Sequence, residues 1–271
     1  MIMQRLKLLL PIAFVAVSAL ACTSSPTGRS QMIWKSDDEL AAESSRQFAE
    51  MKASLPLATD RATIDYIACV ANAIVDVLEP PYRDLPWEMA IFDHEAVNAF
   101  AMPGGKIGVM QGILKAAQNQ DQLASVIGHE IAHVTARHSA ERASRSSVSG
   151  VGIQVAAVLL GGGNSGATYT AYEALNAGAA LGIMLPFSRA QESEADVIGL
   201  EYMARAGFDP RESVPLWQNM TSEADKEPAE FLSTHPSSAN RIDSLVSQFG
   251  KTLALYNEAQ SQGRNPNCPM P

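Results

Sequence analysis

From residue 37 onward the apolar positions fall mostly at helical spacing, with one short block of strand-like pattern in between. Ser36-Asp37-Asp38-Glu39 has the form of a capping box and predicts a helix to about Lys52. Ile64, Ile67, Ala71, Ile74, Val75 and Leu78 predict a second helix from near Asp60 to Leu78, stopped by Pro80-Pro81. Trp87 to Phe92 reads as a strand. Asn98 to Met102 and Lys106 to Val109 read as two short strands around the turn Pro103-Gly104-Gly105. Leu123, Val126, Ile127, Ile131 and Val134 line one face of a long helix from Gln120 to about Arg145. Further helices follow at Arg189–Arg205, closed by Gly207 with Pro210 beyond, at Arg211–Glu223 and at Ser237–Phe249.

Two stretches stand apart from this series. Leu8 to Leu20 is a continuous apolar run behind Arg5 and Lys7, too short for a comfortable bilayer span. It predicts a signal peptide over residues 1–21. Ala19-Leu20-Ala21-Cys22 resembles a bacterial lipobox, with Ala19 where that pattern usually carries Leu. Cys22 is then either acylated or left unmodified by ordinary cleavage. Thr23-Ser24-Ser25-Pro26-Thr27-Gly28 gives residues 22–36 the composition of a flexible tether. Val148 to Pro186 is rich in Gly, Ala, Val and Leu around Gly161-Gly162-Gly163. It reads as two helices joined by a glycine turn, serving either as plain core or as a lid. The expected organisation is a signal peptide (1–21), a tether (22–36), one domain (37–250) and a polar tail (251–271).

Composition narrows the class. Of 271 residues, 46% are hydrophobic and 18% charged, which is enough for a sizeable core and argues against disorder. A net charge of -9 with no long basic run excludes a nucleic-acid surface. An acidic chain at an anionic membrane would be held by lipid rather than by charge. In an exported protein Cys69 and Cys268 either form a disulfide or remain a buried thiol and a loose one.

The chemistry concentrates in GHEIAHVTARH, Gly128 to His138, which holds three of the five histidines. His129 and His133, four apart, share a helix face and can aim two imidazoles at one metal ion. Glu130 reaches the edge of the same site, where it can take a proton from a water activated by the metal. A third histidine six positions past His133 would complete one known ligand pattern, but Ser139 stands there. His138 lies about 140° around a continuous helix from His133 and reads as structural. Gln191-Glu192-Ser193-Glu194-Ala195-Asp196 offers a carboxylate instead. Glu192 and Asp196 share a face, so Glu192 can ligate while Asp196 fixes the tautomer of a ligand histidine. Glu194 sits about 200° from both and is expected to point elsewhere. The bland alternative is a solvated acidic face, but Ala195, Val197, Ile198, Leu200 and Met203 give this helix a substantial apolar face.

His129-Glu130-x-x-His133 followed by Ser188-Arg189-x-x-Glu192-x-x-Ala195-Asp196 resembles the zinc metallopeptidases that include HtpX and the CAAX prenyl protease. The resemblance runs from about Asp37 to Phe249. Asn98-Ala99-Phe100 with Pro103-Gly104-Gly105 resembles the strand and turn before that family's zinc helix, and His235-Pro236 with Arg241 its late histidine and arginine. The lipobox points to a soluble periplasmic branch such as LoiP and BepA, without tetratricopeptide repeats. The resemblance implies an α+β gluzincin fold, mostly helical and zincin-like, with a small sheet beside the active-site helix. It implies one Zn2+ per chain on His129, His133 and Glu192, Glu130 as general base, and Asp196 behind the ligands. It also implies that His235 and Arg241 stabilise the oxyanion or occupy the zinc in a resting state. Peptide substrates would add to Asn98, Ala99, Phe100, Ala101 and Met102 by β-augmentation. The expected role is an endopeptidase for unfolded or misassembled envelope polypeptides, lipid-anchored to the outer membrane in the periplasm. The rival is a chaperone or outer-membrane assembly factor in which cleavage is secondary. A structural zinc module fits less well, because such sites are usually closed by four ligands, often cysteines.

Overall fold

A computed structural model describes residues 22–145, 187–224, 230–235 and 240–271. The expected signal peptide and the segment Val148–Pro186 lie outside the described residues. The described residues divide into two units, one of residues 22–36 and 139–145, the other of residues 37–138 with the described residues from 187 to the C-terminus.

In the smaller unit, strands β1 (Cys22–Ser24) and β2 (Ser30–Met32) pair antiparallel, with Cys22 opposite Met32. The stretch expected to be a flexible tether is therefore an ordered hairpin. Its hold is chemical. The fully buried Glu141 carboxylate accepts two bonds from the Arg29 guanidinium, at 2.9 and 2.7 Å, and Arg145 lies 2.6 Å away. A carboxylate taken out of water needs such partners. The backbone N–H groups of Trp34 and Lys35 both donate to Ser144 Oγ, which fixes the end of the segment.

The larger unit holds helices α1 (Asp37–Ser54) and α2 (Arg61–Val75), and strands β3 (Glu88–Phe92), β4 (Ala99–Met102) and β5 (Lys106–Met110). It continues with helices α3 (Gln120–Thr135), α4 (Arg189–Ala206), α5 (Ser213–Ala224), α6 (Glu230–Thr234) and α7 (Arg241–Ser261). The protein is mostly helical with small sheets, the α+β arrangement expected. Sheet order is β3-β5-β4, with β3 parallel and β4 antiparallel to the central β5. Every residue of β5 is buried, as a central strand covered on both faces must be. Alternation sends Ala99 and Ala101 to the main core, while Phe100 packs with Phe48 and Phe92 on the other face.

Helix α3 is the axis of the unit. Asn119 caps it by accepting from the Gln122 N–H, and every residue from Gln122 to Thr135 is buried. A helix buried all round must satisfy its polar side chains from its neighbours, and these include His129, Glu130 and His133. Its main partners are α4 and, on the sheet side, the edge strand β4. Helix α4 opens with a capping box between Ser188 and Gln191 and ends on Gly207 in the left-handed region, φ 92°.

Three expected boundaries shift. Helix α2 ends at Val75, where Asp76 caps it, although Leu78 stays in the core. The helix expected to run from Gln120 to Arg145 breaks at Ala136 and Arg137 and resumes at 138. Arg137 takes φ 56°, a costly value for a side chain with a Cβ, and its guanidinium is held by Asp37 at 2.8 Å. The polar tail expected from 251 is instead the second half of α7, with Thr252 and Ala259 buried. Beyond it the Cys268 N–H donates to Gln120 and the Pro266 carbonyl accepts from it, while Cys268 is disulfide-bonded to Cys69 of α2 with a Cα–Cα distance of 5.7 Å. Among the described residues no helix is long and apolar enough to cross a membrane.

Candidate metal centre

Helices α3 and α4 cross backbone against backbone. A Cβ on Gly128 would lie 2.9 Å from the Gly199 carbonyl oxygen, and a Cβ on Gly199 would lie 2.8 Å from the His129 nitrogen. That approach carries the start of α4 onto the His129–His133 face of α3. Glu192 and Asp196, one helical turn apart, then meet the two histidines.

Four side chains converge there. His129, His133, Glu192 and His235 each offer one ligand atom, all within 4.8 Å of one another and all buried. His129 Nε2 lies 3.1 Å from His133 Nε2 and 3.2 Å from His235 Nδ1. Glu192 Oε1 is 3.1 Å from His235 Nδ1 and 3.4 Å from His133 Nε2. His235 follows the short helix α6. Its N–H donates to the Phe231 carbonyl, and its ring stacks on Phe231 at 4.5 Å. Phe187 lies against the His133 ring at 3.9 Å. Aromatic walls thus pack against the three imidazoles.

The outer contacts assign the ring protons. Asp196 Oδ1 is 3.0 Å from His129 Nδ1, so that nitrogen donates and His129 Nε2 faces the centre. Ring nitrogens that face each other lone pair to lone pair at such distances repel unless a proton or a cation lies between them. Burial alone would lower the His129 pKa, but its bonds to Asp196 and Glu192 outweigh burial and raise it to about 9. Burial and the neighbouring imidazoles push His133 far below the usual histidine range. The same imidazole partners hold Glu192 well below the usual carboxylate range in spite of its burial. The cluster therefore has the electrostatic form of a cation site. The second oxygen of Glu192 is buried and makes no hydrogen bond, with His129 Nε2 3.5 Å away. These donors fit a divalent ion of the N/O-preferring kind.

Glu130 sits beside this set rather than in it. One oxygen lies 3.4 Å from His235 Nε2 and has no hydrogen-bond partner. Burial raises its pKa, opposed by the nearby imidazoles and by a bond from the Ala101 N–H of β4. Arg241, expected among the catalytic groups, stands behind the ligands instead. Its NH2 is 2.6 Å from Asp196 Oδ1 and 3.3 Å from Glu192 Oε2, and its guanidinium lies 3.5 Å over the Trp217 ring. That placement puts it between Trp217 of α5 and the Asp196 and Glu192 carboxylates.

Glu194 and His138 stand outside the set of ligand atoms, but they meet each other behind His133. His138 Nδ1 is 2.9 Å from His133 Nδ1, and Glu194 Oε2 is 3.1 Å from His138 Nε2, all buried. The break at Arg137 takes His138 off the face that a continuous helix would give it. Sequence reading missed Trp217, Phe187 and Phe231 altogether, and a lone aromatic on a helix carries no signal of the ring it will meet.

The sequence pattern of the family described as Peptidase family M48 matches residues 62–248. The chain is 40% identical over 180 residues to "Mitochondrial metalloendopeptidase OMA1" of Schizosaccharomyces pombe, covering 65% of this chain and 50% of that protein. It is 32% identical over 210 residues to the protein of that name in Saccharomyces cerevisiae, covering 70% and 58%. It is 30% identical over 237 residues to "Beta-barrel assembly-enhancing protease" of Escherichia coli strain K12, covering 79% and 48%. The chain thus spans about half the length of the relatives it matches.

Proposed function

The chain belongs to peptidase family M48, and from that premise we propose that it is a zinc endopeptidase acting on unfolded or misassembled polypeptides of a bacterial cell envelope. The observation that carries the reading is the buried convergence of His129, His133, Glu192 and His235, with a Glu130 oxygen that makes no hydrogen bond at its edge. His129, His133 and Glu192 would hold the metal. Bound there, zinc would polarise the scissile carbonyl and lower the pKa of an attacking water to about 7.

The chain's own groups do the rest. Glu130, kept by burial at a higher proton affinity than an exposed glutamate, takes the proton of the attacking water and delivers it to the leaving amine. His235 Nδ1 reaches into the ligand set, which supports its holding that position in a resting enzyme. Substrate entry swings His235 aside, and its ring then donates to the developing oxyanion. Because Asn98 and Met110 are a bonded pair, the outward backbone groups of the edge strand are those of Ala99 and Ala101. An extended substrate adds along them, beside Glu130.

The likeness to "Beta-barrel assembly-enhancing protease" supports envelope proteins as substrates, and the lipobox-like Ala19–Cys22 supports a periplasmic protein anchored by Cys22 in the outer membrane. In this reading the chain stands with the soluble, lipid-anchored branch of its family. Mass analysis of the mature N-terminus tests the anchor: acylated Cys22 is expected, and an unmodified cysteine removes it.

The test of the main reading is incubation of casein and of an unfolded outer-membrane β-barrel protein with the wild type and with Glu130→Gln, with zinc analysis of both. The wild type should cleave. The variant should keep its zinc and lose cleavage by roughly two orders of magnitude or more, the usual span for a missing general base. A wild type that prevents aggregation of both proteins without cutting either would make this a chaperone instead.

A further inference from the structure

His138 and Glu194 make a second line of contacts behind His133, matching the Asp196–His129 line. Glu194 as a carboxylate only accepts, so His138 Nε2, 3.1 Å away, carries its proton toward Glu194. A neutral His138 then has its lone pair on Nδ1. Since His133 Nδ1 is 2.9 Å from that atom, His133 must be the donor between them. His133 Nε2 is left as the lone pair facing Glu192 and His129. Both outer side chains are buried, His138 completely, so water does not substitute for either.

We propose that His138 and Glu194 form a relay that sets the tautomer and orientation of His133, and so are positioning residues of the metal centre. The inference rests on the metal reading above. Its geometry depends on the break in α3. A continuous helix would carry His138 about 140° away from His133, and the left-handed Arg137, tied to Asp37, turns it back.

The test uses the full chain, stripped of metal and titrated with Zn2+ against a chromophoric chelator, and separately loaded with Co2+. His138→Phe keeps the bulk of the ring but removes the acceptor. Zinc affinity should fall about 10–100-fold, the usual cost of a lost partner to a ligand histidine, and the visible cobalt bands should shift. His138→Asn places an oxygen near the lost Nδ1 and should recover most of the affinity. Glu194→Gln keeps an acceptor but loses the charge and should weaken zinc several-fold. The double variant His138→Phe/Glu194→Gln should be no weaker than His138→Phe alone. A folded His138→Phe protein with wild-type zinc affinity and cobalt spectrum overturns the relay, as does equal loss in the Phe and Asn variants. If His138→Phe does not fold, unchanged affinity in Glu194→Gln overturns it. A wild type that takes up no Zn2+ sinks the metal reading instead, before any variant is compared.

Discussion

At the residue scale, the centre separates groups that touch the metal position from groups that aim them. Glu192 turns its carboxylate onto the inward ring nitrogens of His129, His133 and His235, while Asp196 spends Oδ1 on the outer nitrogen of His129 and on Arg241. Glu192→Ala should therefore lose stoichiometric zinc together with activity. Asp196→Asn keeps the size of the side chain but weakens the hold on the His129 N–H, and should lower zinc affinity about 10–100-fold. Zinc content and a chelator competition on the two purified variants measure both. Full zinc in Glu192→Ala would remove that residue from the ligand set.

At the scale of elements, the site exists because two helices touch where they have no side chains. Gly128 and Gly199 sit at the crossing of α3 and α4, each too close to the other's backbone for a methyl group. Gly199→Ala would gain helix propensity of about 1 kcal/mol but force α4 outward against close-packed backbone. Overpacking of that kind costs about 1–3 kcal/mol, and it also draws Glu192 and Asp196 off the histidines. The expected outcome is a protein of lower unfolding midpoint with zinc affinity reduced by more than its stability. Unchanged midpoint and zinc would show that the crossing has slack.

At the scale of the larger unit, the disulfide closes a loop of 199 residues, joining α2 to the segment beyond α7. Cross-links over loops of this length stabilise by about 2–5 kcal/mol, chiefly by restricting the unfolded chain. Replacing both Cys69 and Cys268 with serine should lower the denaturant midpoint accordingly, while leaving zinc content near one per chain at low temperature. A midpoint equal to the wild type would show that the packing of α7 and the Gln120 contacts hold the C-terminus without the bridge.

What the sequence determined by itself is what a helix makes local. His129 and His133 share a face because they are four apart, and Glu192 and Asp196 do for the same reason, so the motif residues and the helices that carry them are legible without coordinates. The strands around Pro103-Gly104-Gly105 and the Gly207 cap are legible because turn and cap chemistry is also short-range. Helical spacing already favours Glu192 over Glu194 as the carboxylate that meets the histidines, but only the tertiary structure shows Glu194 returning through His138. Helical spacing had turned Glu194 away, and it could not foresee that α3 stops at Arg137. Structure alone placed Arg241 on Trp217 behind Asp196, put Phe231 and Phe187 against the imidazoles, and continued α7 through the expected tail. These facts depend on pairs far apart in the chain meeting where two small residues let helices approach. Such meetings leave no period in the sequence from which they could be read.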